Sequence, residues 1–279
     1  TLVISTMTHP LPAGSAVIVL IRGNAVYGIK TPPSVRAAAN AMVTTFDPDG
    51  QVIDGPTNLA INAIVAGVLQ GALAWTASAN TPGAVGSVSV PFKGSGEINV
   101  GGSIRIVMPY EGWEMAAAPK CSLSAPGVTM HRIHGAWNST NHTLTCTLNS
   151  SAVPAAADAV LHVSNVSSPP SARAIAVGSL VVLDASYKVV DGPAPVAFAA
   201  INAGVLAPGI AFSISAQSPS TAVQATVQFD TVGAIQSGGQ IRISLPSSDG
   251  WVLVQAPAIT VIRPTGVLAS ASWNGTASV

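Results

Sequence analysis

The residues of this 279-residue chain best suited to chemistry are asparagines that could carry glycans. The pattern Asn-x-Ser/Thr occurs at Asn138, Asn141, Asn149, Asn165 and Asn274. In an exported β protein, such sequons serve as surface acceptors for N-linked sugar. Asn138 and Asn274 also follow a tryptophan in the same way, which favours them. We therefore expect covalent glycans at these five positions.

Two proline pairs form a second group of candidate modification sites. They lie in Thr31-Pro-Pro-Ser34 and Ser168-Pro-Pro-Ser171. One interpretation is a stiff linker, because adjacent prolines favour an extended backbone. The other is hydroxylation and O-glycosylation of the prolines. The residues concerned are Pro32, Pro33, Pro169 and Pro170.

The two cysteines, Cys121 and Cys146, are 25 residues apart. A single disulfide in an exported protein is the first interpretation, and two buried thiols are the second. Both interpretations remain open at the level of sequence.

Catalytic and metal-binding patterns are not found in the sequence. It contains no Gly-x-Ser-x-Gly elbow, P-loop or dinucleotide fingerprint. His131 and His134 would lie on opposite faces of a strand, and Asp47-Pro-Asp-Gly50 has the composition of a turn rather than of a calcium loop. We expect no enzyme activity, no metal and no cofactor.

The composition excludes some partners and favours others. Eleven basic and eleven acidic residues give a net charge of zero, and only 8% of residues are charged while 48% are hydrophobic. Nucleic-acid binding requires a basic surface, so we expect none. The most apolar segment, residues 59–75, contains Asn62 and Gln70, and we expect no membrane span. A surface with so few charges does little to prevent a free monomer from associating with other molecules.

An internal repeat of 137 residues organises these features. Val52-Ile-Asp-Gly-Pro56 recurs as Val189-Val-Asp-Gly-Pro193, and Gly101-Gly-Ser-Ile-Arg-Ile106 recurs as Gly238-Gly-Gln-Ile-Arg-Ile243. Upstream, Thr31-Pro-Pro-Ser-Val-Arg36 recurs as Ser168-Pro-Pro-Ser-Ala-Arg173 at the same offset. Self-similarity at a fixed period indicates tandem copies of one structural module.

Each repeat has the pattern of an all-β module. Residues 42–46 and 51–53 flank the turn Asp47-Pro-Asp-Gly50, and residues 87–92 and 103–107 alternate in polarity. Short strands punctuated by Gly and Pro predict a sandwich or barrel, of which an immunoglobulin-like sandwich fits the length. We predict two such modules at 31–168 and 169–279, preceded by a hairpin and linker at 1–30.

The first 21 residues are expected to complete a module of a neighbouring chain. Residues 1–6 and 16–20 resemble 143–148 and 158–162, which end the first repeat, whereas the second repeat stops at Val279 before such strands. Donated strands that complete a neighbour's sheet give head-to-tail self-assembly. Cys146 aligns with Ile4 and Cys121 with Ile259, so we expect an apolar contact at the junction. The predicted contact residues are Leu2, Ile4, Val17, Val19 and Ile259.

An alternative arrangement has the same geometry with peptide bonds at every junction. The chain would then be a slice of a longer covalent array of immunoglobulin-like repeats, acting as an adhesin or carbohydrate-binding surface protein. The mass of the native polypeptide separates the two hypotheses.

Gly-Gly-x-Ile-Arg-Ile-x-x-Pro, followed by Gly-Trp and Trp-Asn-x-Thr in tandem Ala/Val/Ser/Thr-rich modules, resembles repeats of large extracellular proteins of algae and related protists. These include the immunoglobulin-like arrays of mastigoneme-type surface fibrils. The resemblance implies a non-catalytic extracellular fibre subunit that carries N-glycans and hydroxyproline-linked glycans.

Overall fold

The computed structural model describes residues 2–5, 9–21, 29–126, 128–206, 209–246 and 250–274, with only the backbone of 128–131. All regular structure in these residues is β-strand, so the predicted all-β class is confirmed. The strands are β1 (Ala39–Phe46), β2 (Val52–Ile61), β3 (Ala74–Ala77), β4 (Val85–Lys93), β5 (Ser103–Val107), β6 (Lys120–Ala125), β7 (Val128–Asn138), β8 (Thr143–Thr147), β9 (Asp158–Ser167), β10 (Ala176–Leu183), β11 (Val189–Phe198), β12 (Ala211–Ile214) and β13 (Ala225–Gln228).

Nine of these strands form one closed sheet in the order β10-β11-β3-β4-β9-β6-β7-β8-β5, in which β5 returns to β10. The neighbours are antiparallel except for β11 and β3, which are parallel. Closure leaves these nine strands without a free edge, which protects them from pairing with other chains. The sequence favoured an immunoglobulin-like sandwich, whereas the main sheet is a closed nine-stranded barrel.

Alternating side chains of these strands form the core. Val88, Val90 and Phe92 of β4 point inward, as do Leu161 and Val163 of β9. This period of two is the burial pattern of a sheet with one buried face. Trp75 packs against Phe198 with ring centroids 5.3 Å apart, and Trp113 approaches both rings edge-on at 5.6 and 6.0 Å.

The barrel combines strands of both sequence repeats. Strands β3 to β9 come from the first repeat, whereas β10 and β11 come from the second. The predicted boundary at residues 168 and 169 therefore falls inside this sheet. The corresponding hairpin of the first repeat, β1–β2, forms a separate two-stranded sheet, and so do β12 and β13.

The chain divides into two compact units, Thr1–Ala234 and Ile235–Val279. Within the second unit, the described residues 235–246 and 250–274 form turns and extended segments, with a backbone bond of 2.9 Å from Trp273 N–H to the Gln255 carbonyl. The first repeat has a matching bond from Trp137 N–H to the Ala117 carbonyl, also 2.9 Å long. Over the described part of the chain, no helix is long and apolar enough to cross a bilayer.

Candidate assembly and modification sites

The hairpin β10–β11 is held by a surface of the first repeat, which we call the hairpin-binding surface: β3, β5, Gly67 and Ser95–Gly96. β10 pairs with β5 over five residues, from Ser179 opposite Val107 to Leu183 opposite Ser103. On the other side, β11 runs parallel to β3, and Ala197 N–H donates to the Leu73 carbonyl at 2.9 Å. Leu180, Val196 and Phe198 are at most 2% exposed as a result.

A carboxylate is buried at the centre of this contact. Asp191 of β11 is fully buried, and it accepts hydrogen bonds from the Ser95 hydroxyl and from the Gly96 N–H at 3.1 Å. A Cβ at Gly67 would collide with the Asp191 carboxylate and the Ser95 hydroxyl, so the close approach requires glycine here. A buried polar side chain is costly without hydrogen-bond partners, so this requirement makes the contact specific as well as apolar.

The turn of the same hairpin is held by the segment that precedes β1. The Ser34 hydroxyl donates to Asp184 Oδ2 at 2.5 Å, and Arg36 donates to the Ser34 oxygen at 2.5 Å. The Arg36 guanidinium also lies 3.9 Å from Asp184 Oδ2, and Val35 N–H donates to the Val189 carbonyl at 2.9 Å. We call Ser34, Arg36 and Asp184 the turn clamp.

The electrostatics of the turn clamp favour an ionised carboxylate. Burial by itself would raise the pKa of Asp184, but hydrogen bonds from Ser34, Lys188 N–H and Ser186 N–H, together with the Arg36 charge, lower the pKa below its ordinary value. Hydrogen bonding to the charged form outweighs desolvation here. Sequence reasoning missed the turn clamp, although the repeat of Ser-x-Arg and of Asp47 as Asp184 was the available signal.

The predicted contact residues of the N-terminal segment are described without strand pairing. Leu2, Ile4, Val17 and Val19 are all more than half exposed, and residues 2–5 and 9–21 are assigned no strand. Ile259 is also exposed. In the first repeat, the counterparts of the four N-terminal residues lie on β8 and β9. These counterparts, Leu144, Cys146, Ala159 and Leu161, are at most 2% exposed.

The structure brings the buried Cys121 and Cys146 together, with both side chains as thiols. They lie on β6 and β8, on either side of β7, where a Cβ at Gly135 would collide with the Cys121 sulfur. The Sγ atoms are 3.0 Å apart, longer than the roughly 2.05 Å of a disulfide. The hydrogen bond between them raises the pKa of Cys146, which keeps the proton, and lowers the pKa of Cys121.

All five sequon asparagines lie at exposed positions. Asn138 and Asn141 share the turn between β7 and β8, where Asn138 Oδ1 accepts from Thr140 N–H and Asn141 N–H at 3.0 and 3.3 Å. Asn149 follows β8, and Asn165 lies in β9 with a positive φ of 58°. The exposure of Asn138, Asn141, Asn149, Asn165 and Asn274 leaves room for a glycan at each.

The four prolines differ in their surroundings. Pro32, Pro33 and Pro170 are exposed, whereas Pro169 is buried and its carbonyl accepts from Gly83 N–H at 2.9 Å. A sugar on Pro169 would have to displace this packing. The other three prolines are accessible at the surface, and their O-glycosylation stays a prediction.

Other chemistry has little support among the described residues. They contain no cluster of three His, Cys, Asp or Glu side chains able to hold a metal. Asp47, which the calcium-loop hypothesis would have used, accepts from Asp49 N–H and Gln51 N–H at 3.0 and 2.7 Å, so it stabilises a turn as the sequence predicts. A hollow beside Trp113 has a volume of only about 10 Å³, far smaller than the roughly 300–1,000 Å³ of ligand pockets.

Comparisons with known proteins do not identify a family. No family model matches, and no curated protein matches. Among solved structures, the chain is similar to the C-terminal domain of the Streptococcus pyogenes antigen I/II-family protein AspA. The sequences are 9% identical, the match covers 64% of this chain and 57% of that chain, and the TM-score is 0.26. A second is AvmM, which catalyses macrocyclization in alchivemycin A biosynthesis, with 10% identity, coverage of 70% and 98%, and a TM-score of 0.27. The chain spans just over half the length of the AspA chain, and likenesses this distant carry no argument about function.

Proposed function

We propose that the protein is a structural, non-catalytic subunit of an extracellular glycosylated filament, assembled head-to-tail by strand donation. Residues 1–21 of one molecule would complete the second repeat of its neighbour. The observation that carries this proposal is the contrast between β8–β9 and their counterparts. In the first repeat these strands lie inside the sheet, whereas the matching residues 2–5 and 9–21 are exposed and unpaired by strand contacts.

The inward positions of these counterparts form a consistent apolar set. Leu2 and Ile4 correspond to Leu144 and Cys146, and Val17 and Val19 correspond to Ala159 and Leu161. Full burial of such a side chain contributes about 1.5–3 kcal/mol. Four of them give roughly 6–12 kcal/mol, comparable to the estimated cost of association of about 4–15 kcal/mol.

Glycosylation fits the same proposal. The charged residues are only 8% of the chain, so charge covers little of its surface. Sugars on the exposed asparagines and on Pro32, Pro33 and Pro170 would solvate that surface. Molecules would then associate through strand pairing. We also propose that each repeat is an immunoglobulin-like module, which the nine strands and mostly antiparallel pairing of the observed sheet support.

A second candidate is a longer covalent array of the same repeats that acts as an adhesin. One observation favours it: β10–β11 completes the first repeat through an ordinary peptide connection, with no need for a second molecule. Intact mass of the native subunit separates the two. A polypeptide much longer than 279 residues would favour the array.

Electron microscopy of the purified chain tests the filament directly. We expect filaments from the unmodified protein and none from the variant Val17→Asp/Val19→Asp, because both side chains would have to be buried. Ile18→Asp is the matched control, since its counterpart Val160 lies on the outer face and Ile18 should tolerate a charge. Single particles from the unmodified chain, or filaments from both variants, would count against strand donation.

A further inference from the structure

The hairpin motif occurs twice in the structure with the same internal register. Ala39 pairs with Ile61 and Phe46 with Val52 in β1–β2, as Ala176 pairs with Phe198 and Leu183 with Val189 in β10–β11. Both hairpins change register at the same two positions, which are separated by 137 residues. They also share a glycine with positive φ, 92° at Gly55 and 86° at Gly192. The two hairpins are therefore the same structural element.

Only one of them is covered. Leu180, Val190 and Val196 are at most 7% exposed, whereas their counterparts Val43, Ile53 and Leu59 are between 51% and 63% exposed. Phe46 and Ile61, the counterparts of Leu183 and Phe198, are exposed as well. A continuous apolar face of this kind on a monomer marks a binding surface.

The second repeat contains the counterpart of the turn clamp. Ser171 and Arg173 repeat Ser34 and Arg36, and both are exposed. The backbone around them is already built as in the first repeat: Arg173 and Ile201 exchange two hydrogen bonds of 2.9 Å, as Arg36 and Ile64 do at 3.0 and 2.9 Å. The backbone at Arg173 thus repeats the backbone at Arg36 in the turn clamp.

The turn that would fit them is that of β1–β2. Asp47 repeats Asp184, and in both turns Oδ1 accepts two backbone N–H groups, those of residues 49 and 51 or of residues 186 and 188. In the covered hairpin, Oδ2 binds Ser34 and faces Arg36. Oδ2 of Asp47 is the matching oxygen, and in the proposed contact it would accept from Ser171 and face Arg173.

The strand that would receive β2 is also present. β12 occupies the repeat position of β3, with Ala211 and Phe212 in place of Ala74 and Trp75. Gly204 repeats Gly67, and a Cβ there would press on Val232, which repeats Ser95. Gly204 therefore lies against its neighbour as Gly67 does.

We propose that the hairpin β1–β2 of one molecule binds a second molecule of this chain. It would lie parallel to β12 and place the Asp47 carboxylate between Ser171 and Arg173. This inference rests on the head-to-tail assembly proposed above and adds a second donated element to residues 1–21. The partner is the chain itself because the surface that holds the matching hairpin β10–β11 belongs to the same repeat.

The proposed contact of β1–β2 with a second molecule differs in composition from the observed contact of β10–β11. Val232 replaces Ser95, so Asp54, the counterpart of Asp191, loses a hydroxyl donor there. Phe212 and Ile61 replace the stacked Trp75 and Phe198. The contact between molecules is accordingly weaker than the contact within one, which suits a reversible assembly step.

Cysteine cross-linking in the full-length chain tests the contact. Ala197 lies opposite Ala74 in the observed parallel pair, so Ala60 of one molecule should lie opposite Ala211 of another. Chains carrying Ala60→Cys are mixed with chains carrying Ala211→Cys and oxidised, and we expect a disulfide-linked dimer. The positive control is Ala74→Cys/Ala197→Cys, which should close within one chain. The unmodified protein controls for the buried native thiols.

A second pair distinguishes this inference from the proposed function. Cys146 pairs with Ile104 in β8–β5, so donation of residues 1–21 predicts a link between Ile4→Cys and Ile241→Cys in mixed chains. If that link forms and the Ala60–Ala211 link does not, the filament stands and the hairpin inference is overturned. If only the Ala60–Ala211 link forms, the hairpin binds and residues 1–21 do not. If neither forms while the positive control does, both proposals fall.

A charge substitution gives an independent readout should a cysteine variant misfold. Leu59→Asp places a charge at the counterpart of fully buried Val196 and should abolish assembly. Asn58→Asp changes the neighbouring outward position, whose counterpart Pro195 is exposed, and should leave assembly intact. Equal assembly of the two variants would overturn the inference.

Discussion

The hairpins β1–β2 and β10–β11 share a register and a turn but differ in their surroundings. Each forms its own ladder, so the local sequence is sufficient for the hairpin itself. Only β10–β11 buries its apolar face, because β3, β5 and the turn clamp surround it. A lone two-stranded hairpin is marginal in water. The hairpin therefore forms from its own sequence, and burial of its apolar face depends on the residues around it.

The largest effect is expected at the aromatic stack. Phe198→Ala removes a ring that packs on Trp75 and Trp113, and should lower the free energy of unfolding by about 3–5 kcal/mol. Ile61→Ala, at the matching exposed position, should change the stability of the barrel by less than about 0.5 kcal/mol. Urea unfolding followed by tryptophan fluorescence measures both. Equal losses would show that the two hairpins are not in different environments.

A smaller effect is expected at the repeated aspartates. Asp191→Ala leaves the Ser95 hydroxyl and the Gly96 N–H without their acceptor, at a cost of about 1–3 kcal/mol. Asp54→Ala removes only the exposed hydrogen bond that the Thr45 hydroxyl donates to the Asp54 carboxylate, so it should cost less than about 0.5 kcal/mol. Hydrogen exchange at the Gly96 amide should quicken in the first variant alone. Unchanged exchange there would contradict the assigned contact.

The turn clamp predicts a pH dependence. The pKa of Asp184 is lower in the folded chain than in the unfolded one, so its contribution is present above the unfolded pKa of about 3.9 and is lost as the pH falls through the folded value. Asp184→Asn should flatten this acid limb, and Ser34→Ala should weaken it. Thermal denaturation between about pH 5 and pH 2 measures the slope. Ser171→Ala is the control; an equal effect from it would show that the clamp is not specific to Ser34.

The smallest effect concerns the counterpart of the turn clamp between molecules. Asp47→Asn and Arg173→Gln should each weaken assembly, and together they should be less than additive by about 0.2–1 kcal/mol, as for a partly exposed ion pair. A double-mutant cycle on the assembly constant gives this coupling. Asp49→Asn, in the same turn, should show none with Arg173→Gln. If the effects of Asp47→Asn and Arg173→Gln on assembly are strictly additive, Asp47 and Arg173 do not interact between molecules.

Much of the fold follows from local sequence. The alternation at residues 87–92 and 103–107 predicts segments that lie in β4 and β5, and the turn at Asp47 predicts the β1–β2 hairpin. The closeness of Cys121 and Cys146 was also inferred, although β7 lies between their strands. Period-two alternation and turn chemistry are local signals, which is why they can be read without a structure.

The pairing of strands that are distant in the chain was harder to predict from the sequence. A repeat fixes the period of 137 residues but not the phase at which a module closes, and every phase gives the same self-similarity. The boundary at residue 168 was placed by motif, whereas the sheet closes with β11, which ends at Phe198. The parallel pairing of β11 with β3 and the glycine contact at Gly67 depend on long-range packing, for which the sequence carries no local pattern.

The phase shift between repeat and barrel has a consequence for how such a gene can change length. Because the observed barrel takes its closing hairpin from the following period, any barrel of the same kind in a longer repeat chain would need the start of the next period to close. A recombination event that ended a chain at residue 168 would instead leave β3 and β5 without β10–β11. Selection would therefore tolerate growth and shortening in steps of a full period and would remove most other breakpoints.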